Sequence, residues 1–131
     1  MHKLMIVDDS NIIRKRIERS FDNNQFELVA VACDGAEAIQ KCKEFSPDVV
    51  TMDLTMPNID GLECIRNLVG IKPTINILVV SALSDKATGL LAIKYGARGF
   101  ICKPFTDEQL IEGLNKMIRF DLAKRTPSKK R

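Results

Sequence analysis

Five short, nearly uninterrupted apolar runs recur along the chain, at residues 4–7, 28–32, 49–52, 75–80 (broken by Asn76) and 100–102. A strand with one wet face alternates apolar and polar positions, so runs without alternation predict strands covered on both faces. Segments with helical spacing lie between them: Ile13, Ile17 and Phe21, then Ala36, Ile39 and Cys42, then Leu62, Ile65 and Leu68. A βα unit repeated about five times predicts an α/β fold, a parallel sheet with helices on both faces.

Punctuation residues sharpen the boundaries. Thr106, Asp107, Glu108 and Gln109 read as a capping box that opens the last helix. Gly96 stands where a helix begun near Ser84 should stop, whereas Gly89 falls inside that helix at a cost of about 1 kcal/mol relative to alanine. That helix is therefore predicted to be the least stable. Past Phe120 the chain turns polar and basic without apolar periodicity, which predicts a folded domain over 1–120 and a flexible tail over 121–131.

With 131 residues, 45% hydrophobic and 28% charged, the chain fits one globular domain. Residues 1–7 are too short a run before Asp8 and Asp9 for a signal peptide, and no run reaches membrane-spanning length. A cytoplasmic protein is expected. Cysteines at 33, 42, 64 and 102 form no C-x-x-C pair, and His2 is the one histidine, so buried or partly buried reduced thiols are expected rather than a zinc site. The net charge of +3 contains a local +5 from Arg119 onward, which leaves about −2 on the body and argues against a nucleic-acid partner. No glycine-rich phosphate loop is present.

Chemistry enters at the strand ends. Asp8 and Asp9 follow Val7, Asp53 follows Met52, Ser81 follows Val80 and Lys103 follows Cys102. Ligands of open parallel sheets bind outside the carboxyl ends of the strands, at the topological switch point. Taken singly each residue has a plainer reading: a turn or helix cap for Asp8 and Asp9, a loop residue for Asp53, a cap for Ser81, a solvated surface lysine for Lys103. Together they make an all-oxygen cluster beside an ammonium, which suits a hard divalent cation such as magnesium.

The segments MIVDDS, VVTMDLTMPNIDGLE, VVSA and GFICKPF resemble the response-regulator receiver family of two-component signalling, over residues 4 to about 118. The resemblance implies a doubly wound, flavodoxin-like sheet of strand order 2-1-3-4-5. It implies that Asp53 accepts a phosphoryl group from a sensor histidine kinase or phosphotransfer protein, with Mg²⁺ (or Mn²⁺) held by Asp8, Asp9, Asp53 and the Thr55 carbonyl. By the same likeness Lys103 meets the phosphoryl group, Lys103–Pro104 is a cis peptide, and Ser81 is the switch hydroxyl. Phe100 is then either an aromatic that rotates with the switch or a plain core residue. Thr55 and Leu83 match positions that tune dephosphorylation, and neither places water well, so a long-lived phosphate is expected. Pro57 and Gly61 suit a constrained turn beside Asp53.

The family is a signalling domain rather than an enzyme. An effector protein is expected to meet this chain on the surface of the fourth helix, fifth strand and fifth helix, which Ser81 and Phe100 flank and Gly89 weakens. Because the sequence ends at Arg131, a stand-alone regulator is expected, with a lean toward chemotaxis. The alternative is the receiver part of a DNA-binding transcriptional regulator. A haloacid-dehalogenase reading would need a second aspartate where Thr55 stands.

Overall fold

The structure is a computed structural model that describes residues 2–20, 25–54, 61–81 and 86–125. Strands β1 (His2–Val7), β2 (Phe26–Ala32), β3 (Val49–Asp53), β4 (Asn76–Ser81) and β5 (Gly99–Cys102) alternate with helices α1 (Asn11–Ser20), α2 (Gly35–Phe45), α3 (Gly61–Ile71), α4 (Lys86–Tyr95) and α5 (Asp107–Arg125). All pairings are parallel, and the sheet order is β2-β1-β3-β4-β5. The repeated βα pattern predicted the parallel sheet, and the family resemblance its doubly wound order.

The apolar runs become strands because the sheet carries a separate core on each face. Met5, Val7, Val50, Met52, Ile77 and Val79 pack with α2 and α3 through Ala38, Cys42, Ile65 and Leu68. On the opposite face Leu4, Ile6, Val49, Leu78 and Val80 meet Ile17 of α1 and Leu110 and Leu114 of α5. Successive residues of a strand point to opposite faces, so β1, β3 and β4 must be apolar at both parities. Strands β2 and β5 lie at the edges and are less covered; all four residues of β5 are only partly buried. Asn76, the polar break in the fourth run, is buried, and its Oδ1 accepts a hydrogen bond of 2.6 Å from Arg98 Nη1.

Several local expectations are refined. In α2 the inward residues are Ala38 and Cys42, with Ile39 partly buried, whereas Ala36 faces solvent. Phe21, expected on the inner face of α1, lies outside the described residues. The capping box is present: Gln109 N donates to Thr106 Oγ1 at 3.0 Å, and Thr106 N donates to Gln109 Oε1 at 2.9 Å. Gly96 ends α4 at φ +124, where a Cβ would come within 2.6 Å of Val69 Cγ2, so both backbone and space require glycine. Gly89 is no mere weak point: it is buried beneath Phe100, and a Cβ there would sit 3.4 Å from three ring carbons.

The domain end expected at Phe120 falls inside α5, which continues to Arg125. Leu122, Ala123, Lys124 and Arg125 are strong helix formers, and no residue stops them before Pro127. Among the described residues no helix is long and apolar enough to cross a membrane. Cys42 and Cys64 are buried and Cys102 partly so, but Cys33 is exposed, against the expectation of covered thiols. Burial pushes the Cys64 thiol up to about 12.

In the middle of β3, Thr51 is buried, and its Oγ1 has no hydrogen-bond partner among the described residues. It stands in register with Ile6 and Leu78, both members of the α1/α5-side core. A buried hydroxyl without a partner gives up hydration for nothing in return. Thr51→Val is expected to leave stability unchanged or to raise it by about 1 kcal/mol in chemical denaturation. A loss of more than about 1 kcal/mol would mean that the hydroxyl is hydrogen-bonded after all.

Candidate functional site

The register of the sheet assembles the site. Val7 pairs with Met52, which puts Asp8 one step beyond β1 at the level of Asp53. Asp53 pairs with Val80, and Ser81 pairs with Cys102, so Ser81 and then Lys103 follow at the same carboxyl edge. Because β1 and β3 are neighbours while the chain leaves them toward opposite sides of the sheet, Asp8 and Asp53 flank the topological switch point.

Carboxylate oxygens of Asp8, Asp9 and Asp53 all lie within 4.8 Å of one another. Asp8 and Asp53 are buried, each about 1% exposed, whereas Asp9 is exposed. Lys103 Nζ stands 3.5 Å from Asp8 Oδ2 and 3.4 Å from Asp53 Oδ2, with the lysine side chain 18% exposed. It is thus not a solvated surface lysine. Its amide donates to the Ser81 carbonyl at 2.6 Å, and Lys103–Pro104 is cis.

Asp8 combines its plain and its chemical readings. Oδ1 accepts the Ser10 amide at 2.9 Å as in an Asx turn, which leaves Oδ2 facing Lys103 and the cluster. Its amide donates to the Ala32 carbonyl at 3.0 Å, and its carbonyl accepts from Arg14 Nη1 at 2.7 Å. Ser10 in turn caps α1, its Oγ accepting the Ile13 amide at 3.3 Å. Neither Ser10 nor Arg14 stands out in sequence. The available signal is that Arg14 lies one helical turn past Ser10, beside the inward positions Ile13 and Ile17.

Burial, reinforced by the charge of Asp53, holds the Asp8 carboxyl above its ordinary range, although the Ser10 amide and Lys103 pull the other way. Three carboxylates against the one ammonium facing them, among the described residues, leave excess negative charge in a partly dry site. Oxygen-only donors with that excess fit a hard divalent cation, and the residues present could hold one.

Other candidates fall elsewhere. Ser81 is buried at the end of β4. Phe100 is partly buried and packs against the α2/α3-side core. Thr55, Pro57 and Leu83 lie outside the described residues, and Gly61 opens α3 with room for no Cβ beside Leu54, 2.9 Å from its Cδ2. A hollow of about 690 Å³ lies away from the carboxylates, at the outer edge of β5 against α5, bordered by Arg98, Phe100, Glu112 and Lys116. The clustered carboxylates and the Lys103 ammonium, rather than this hollow, make the candidate site.

Comparison with known proteins agrees with the geometry. The response regulator receiver domain family matches residues 4–115. The chain belongs to that family. It is 40% identical over 117 residues to the chemotaxis protein CheY of Bacillus subtilis (strain 168), covering 89% of this chain and 98% of that protein. Its fold is similar to the CheX-CheY-BeF3-Mg+2 complex from Borrelia burgdorferi, with TM-score 0.85, 29% identity and 89% coverage of each chain. It is also similar to a two-component response regulator of the LuxR family from Aurantimonas sp. SI85-9A1, with TM-score 0.82, 30% identity, and coverage of 92% of this chain and 86% of that one. The protein is therefore a receiver domain of two-component signalling with chemotaxis-type relatives.

The raised Asp8 carboxyl carries a pH signature. A carboxyl whose folded pKa exceeds its unfolded value, ordinarily 3.8, favours the fold fully below that value and withdraws this support as pH rises through the folded pKa. With a metal chelator present, Asp8→Asn should melt above the wild type at neutral pH. The gap should narrow as pH falls toward 4. A gap that is absent, or that widens in acid, would contradict this electrostatic picture.

Proposed function

We propose that this protein receives a phosphoryl group on Asp53 from a histidine kinase or phosphotransfer protein in the cytoplasm, and that the modification changes which proteins it contacts. The observation that carries the reading is the buried Asp53 carboxylate, clustered with Asp8 and Asp9 and 3.4 Å from the Lys103 ammonium. In the transfer an Asp53 oxygen bonds to phosphorus as the bond from phosphorus to the donor's imidazole nitrogen breaks. The electron pair leaves with that nitrogen, which takes up a proton. Little covalent chemistry is asked of the protein beyond the nucleophile, and the remainder is positioning and charge balance. The protein assists only its own modification and its reversal, and is not an enzyme acting on other substrates.

Asp8, Asp9 and Asp53 would hold Mg²⁺ or Mn²⁺, joined by the Thr55 carbonyl, and the ion would supply positive charge opposite the phosphoryl oxygens. Lys103 supplies a second positive charge. Ser81 can donate its hydroxyl proton to a phosphoryl oxygen and so draw the end of β4 toward the acceptor. That inward draw would be felt by Phe100, which packs over Gly89 of α4.

The output surface of this reading is α4, β5 and α5, where an effector protein would dock. Leu90, Leu91 and Ile93 on α4 are 70%, 41% and 45% exposed, an uncommon share of large apolar side chains in water for one short helix. Control of chemotaxis is the process favoured by relatives of that description. Thr55 and Leu83 set the lifetime of the phosphate by how they place an attacking water.

The test is intact-protein mass spectrometry after incubation with acetyl phosphate and Mg²⁺. One added phosphate is expected on the wild type, none on Asp53→Asn, and none with excess chelator. Equal labelling of Asp53→Asn, or labelling indifferent to chelator, would overturn the assignment of acceptor and metal.

A further inference from the structure

The segment that follows Lys103 is anchored from an unexpected direction. Arg16, on α1, reaches across the helix–helix seam and donates through Nη2 to the carbonyl of Phe105. Its guanidinium carbon stands 4.6 Å from the centroid of the Phe105 ring, a cation–π geometry. Arg16 Nε is 3.6 Å from Asp107 Oδ1, which also accepts the Ser20 hydroxyl of α1 at 2.8 Å. One side chain thus holds the ring and carbonyl of Phe105 and the carboxylate of Asp107, where the β5–α5 connection enters α5. The Phe105 ring itself is buried, 2% exposed, among Leu110, Leu114 and Ile17 of the α1/α5-side core.

Phe105 lies two residues past Lys103. On its other side Lys103 is tied to β4, its amide donating to the Ser81 carbonyl at 2.6 Å. The backbone that presents the ammonium to Asp8 and Asp53 is therefore suspended between two anchors, the β4 ladder and the Arg16–Phe105 clamp. We infer that Arg16 is a positioning residue for phosphotransfer: it fixes the Phe105 carbonyl and thereby sets where the Lys103 ammonium stands relative to the Asp53 oxygens. This rests on the phosphoacceptor reading above.

The mechanism demands a planar, branched cation. A guanidinium can stack on an aromatic face while its separate N–H groups serve the Phe105 carbonyl and Asp107, whereas a lysine ammonium cannot do all three. Loss of the fork would leave the partly buried Phe105 carbonyl without this donor and let the Lys103 segment drift. A misplacement of about 1 Å can cost up to a hundredfold in a reaction that depends on positioning.

The test is a rate comparison with acetyl phosphate, which needs no docking on α1, read by mass spectrometry in wild type, Arg16→Met, Lys103→Ala and the double variant. Arg16→Met keeps the apolar stem and should slow phosphorylation about tenfold when Lys103 is present and not at all when it is absent. Amide exchange over residues 105–109 should quicken in Arg16→Met as the clamp opens. Arg16→Lys, which keeps the charge toward Asp107, should recover melting temperature more than rate. An equal slowing in both Lys103 backgrounds, or recovery of rate in step with melting temperature, would reduce Arg16 to a stabilising residue. A wild-type rate in Arg16→Met would refute the inference outright. A wild type that takes no phosphate would instead refute the phosphoacceptor reading on which it rests.

Discussion

Repulsion among three carboxylates at one sheet edge is the interaction around which the molecule is organised. Oxygens of Asp8, Asp9 and Asp53 within 4.8 Å of one another would, in water, simply move apart. Here two of them are buried and cannot. Asp8 is held by the Ser10 amide, by Arg14 on its carbonyl and by the ladder to Ala32, while Asp53 is the last residue of a fully buried strand. The fold keeps like charges together in a site that is only partly wet, and that arrangement calls for a cation and makes a charged ligand welcome. Lys103 answers part of the excess, and the rest suits a hard divalent ion.

The rigid part of the structure serves that constraint. Two cores, one per face, lock β1, β3 and β4 in register, and the register in turn sets Asp8 against Asp53 and Ser81 beside Lys103. The less buried parts lie toward β5, whose strand is only partly covered and whose neighbour α4 is apolar on its exposed side. Phe100 of β5 lies against Gly89 of α4 with no side chain between. Rigidity at the carboxylates and looser packing at β5 and α4 suit a chemical event at one place and a change of surface at another.

The sheet was legible because strands covered on both faces leave runs that no surface element would carry. The site was legible for a related reason: residues one step past such runs must gather at one edge, so Asp8, Asp53, Ser81 and Lys103 could be grouped before any geometry was known. What pattern could not supply was the role of charged residues on helices. Arg14 and Arg16 carry no sequence signal of their own, yet each reaches a backbone carbonyl in a neighbouring loop, a contact that depends on how α1 lies across the sheet. Gly89 looked like a helix defect because propensity ignores the ring above it. Apolar periodicity stops near Phe120, but good helix formers carry the backbone of α5 on to Arg125. Thr55 and Leu83 lie outside the described residues.

Crowded like charge at the edge of β1 and β3 makes a direct claim about ion binding, and thermal stability reads it without any phosphate donor. The measurement is the melting temperature of the metal-free protein across a magnesium series, with ionic strength held constant by potassium chloride. An ion that binds only the folded state should raise stability continuously with concentration, by about 2.7 kcal/mol at a hundredfold excess over its dissociation constant. The account predicts such a rise in wild type and its loss when Asp9 and Asp53 are both replaced by asparagine. A melting temperature indifferent to magnesium, or one that follows it equally in the doubly neutralised protein, would contradict the claim that this carboxylate cluster is a cation site.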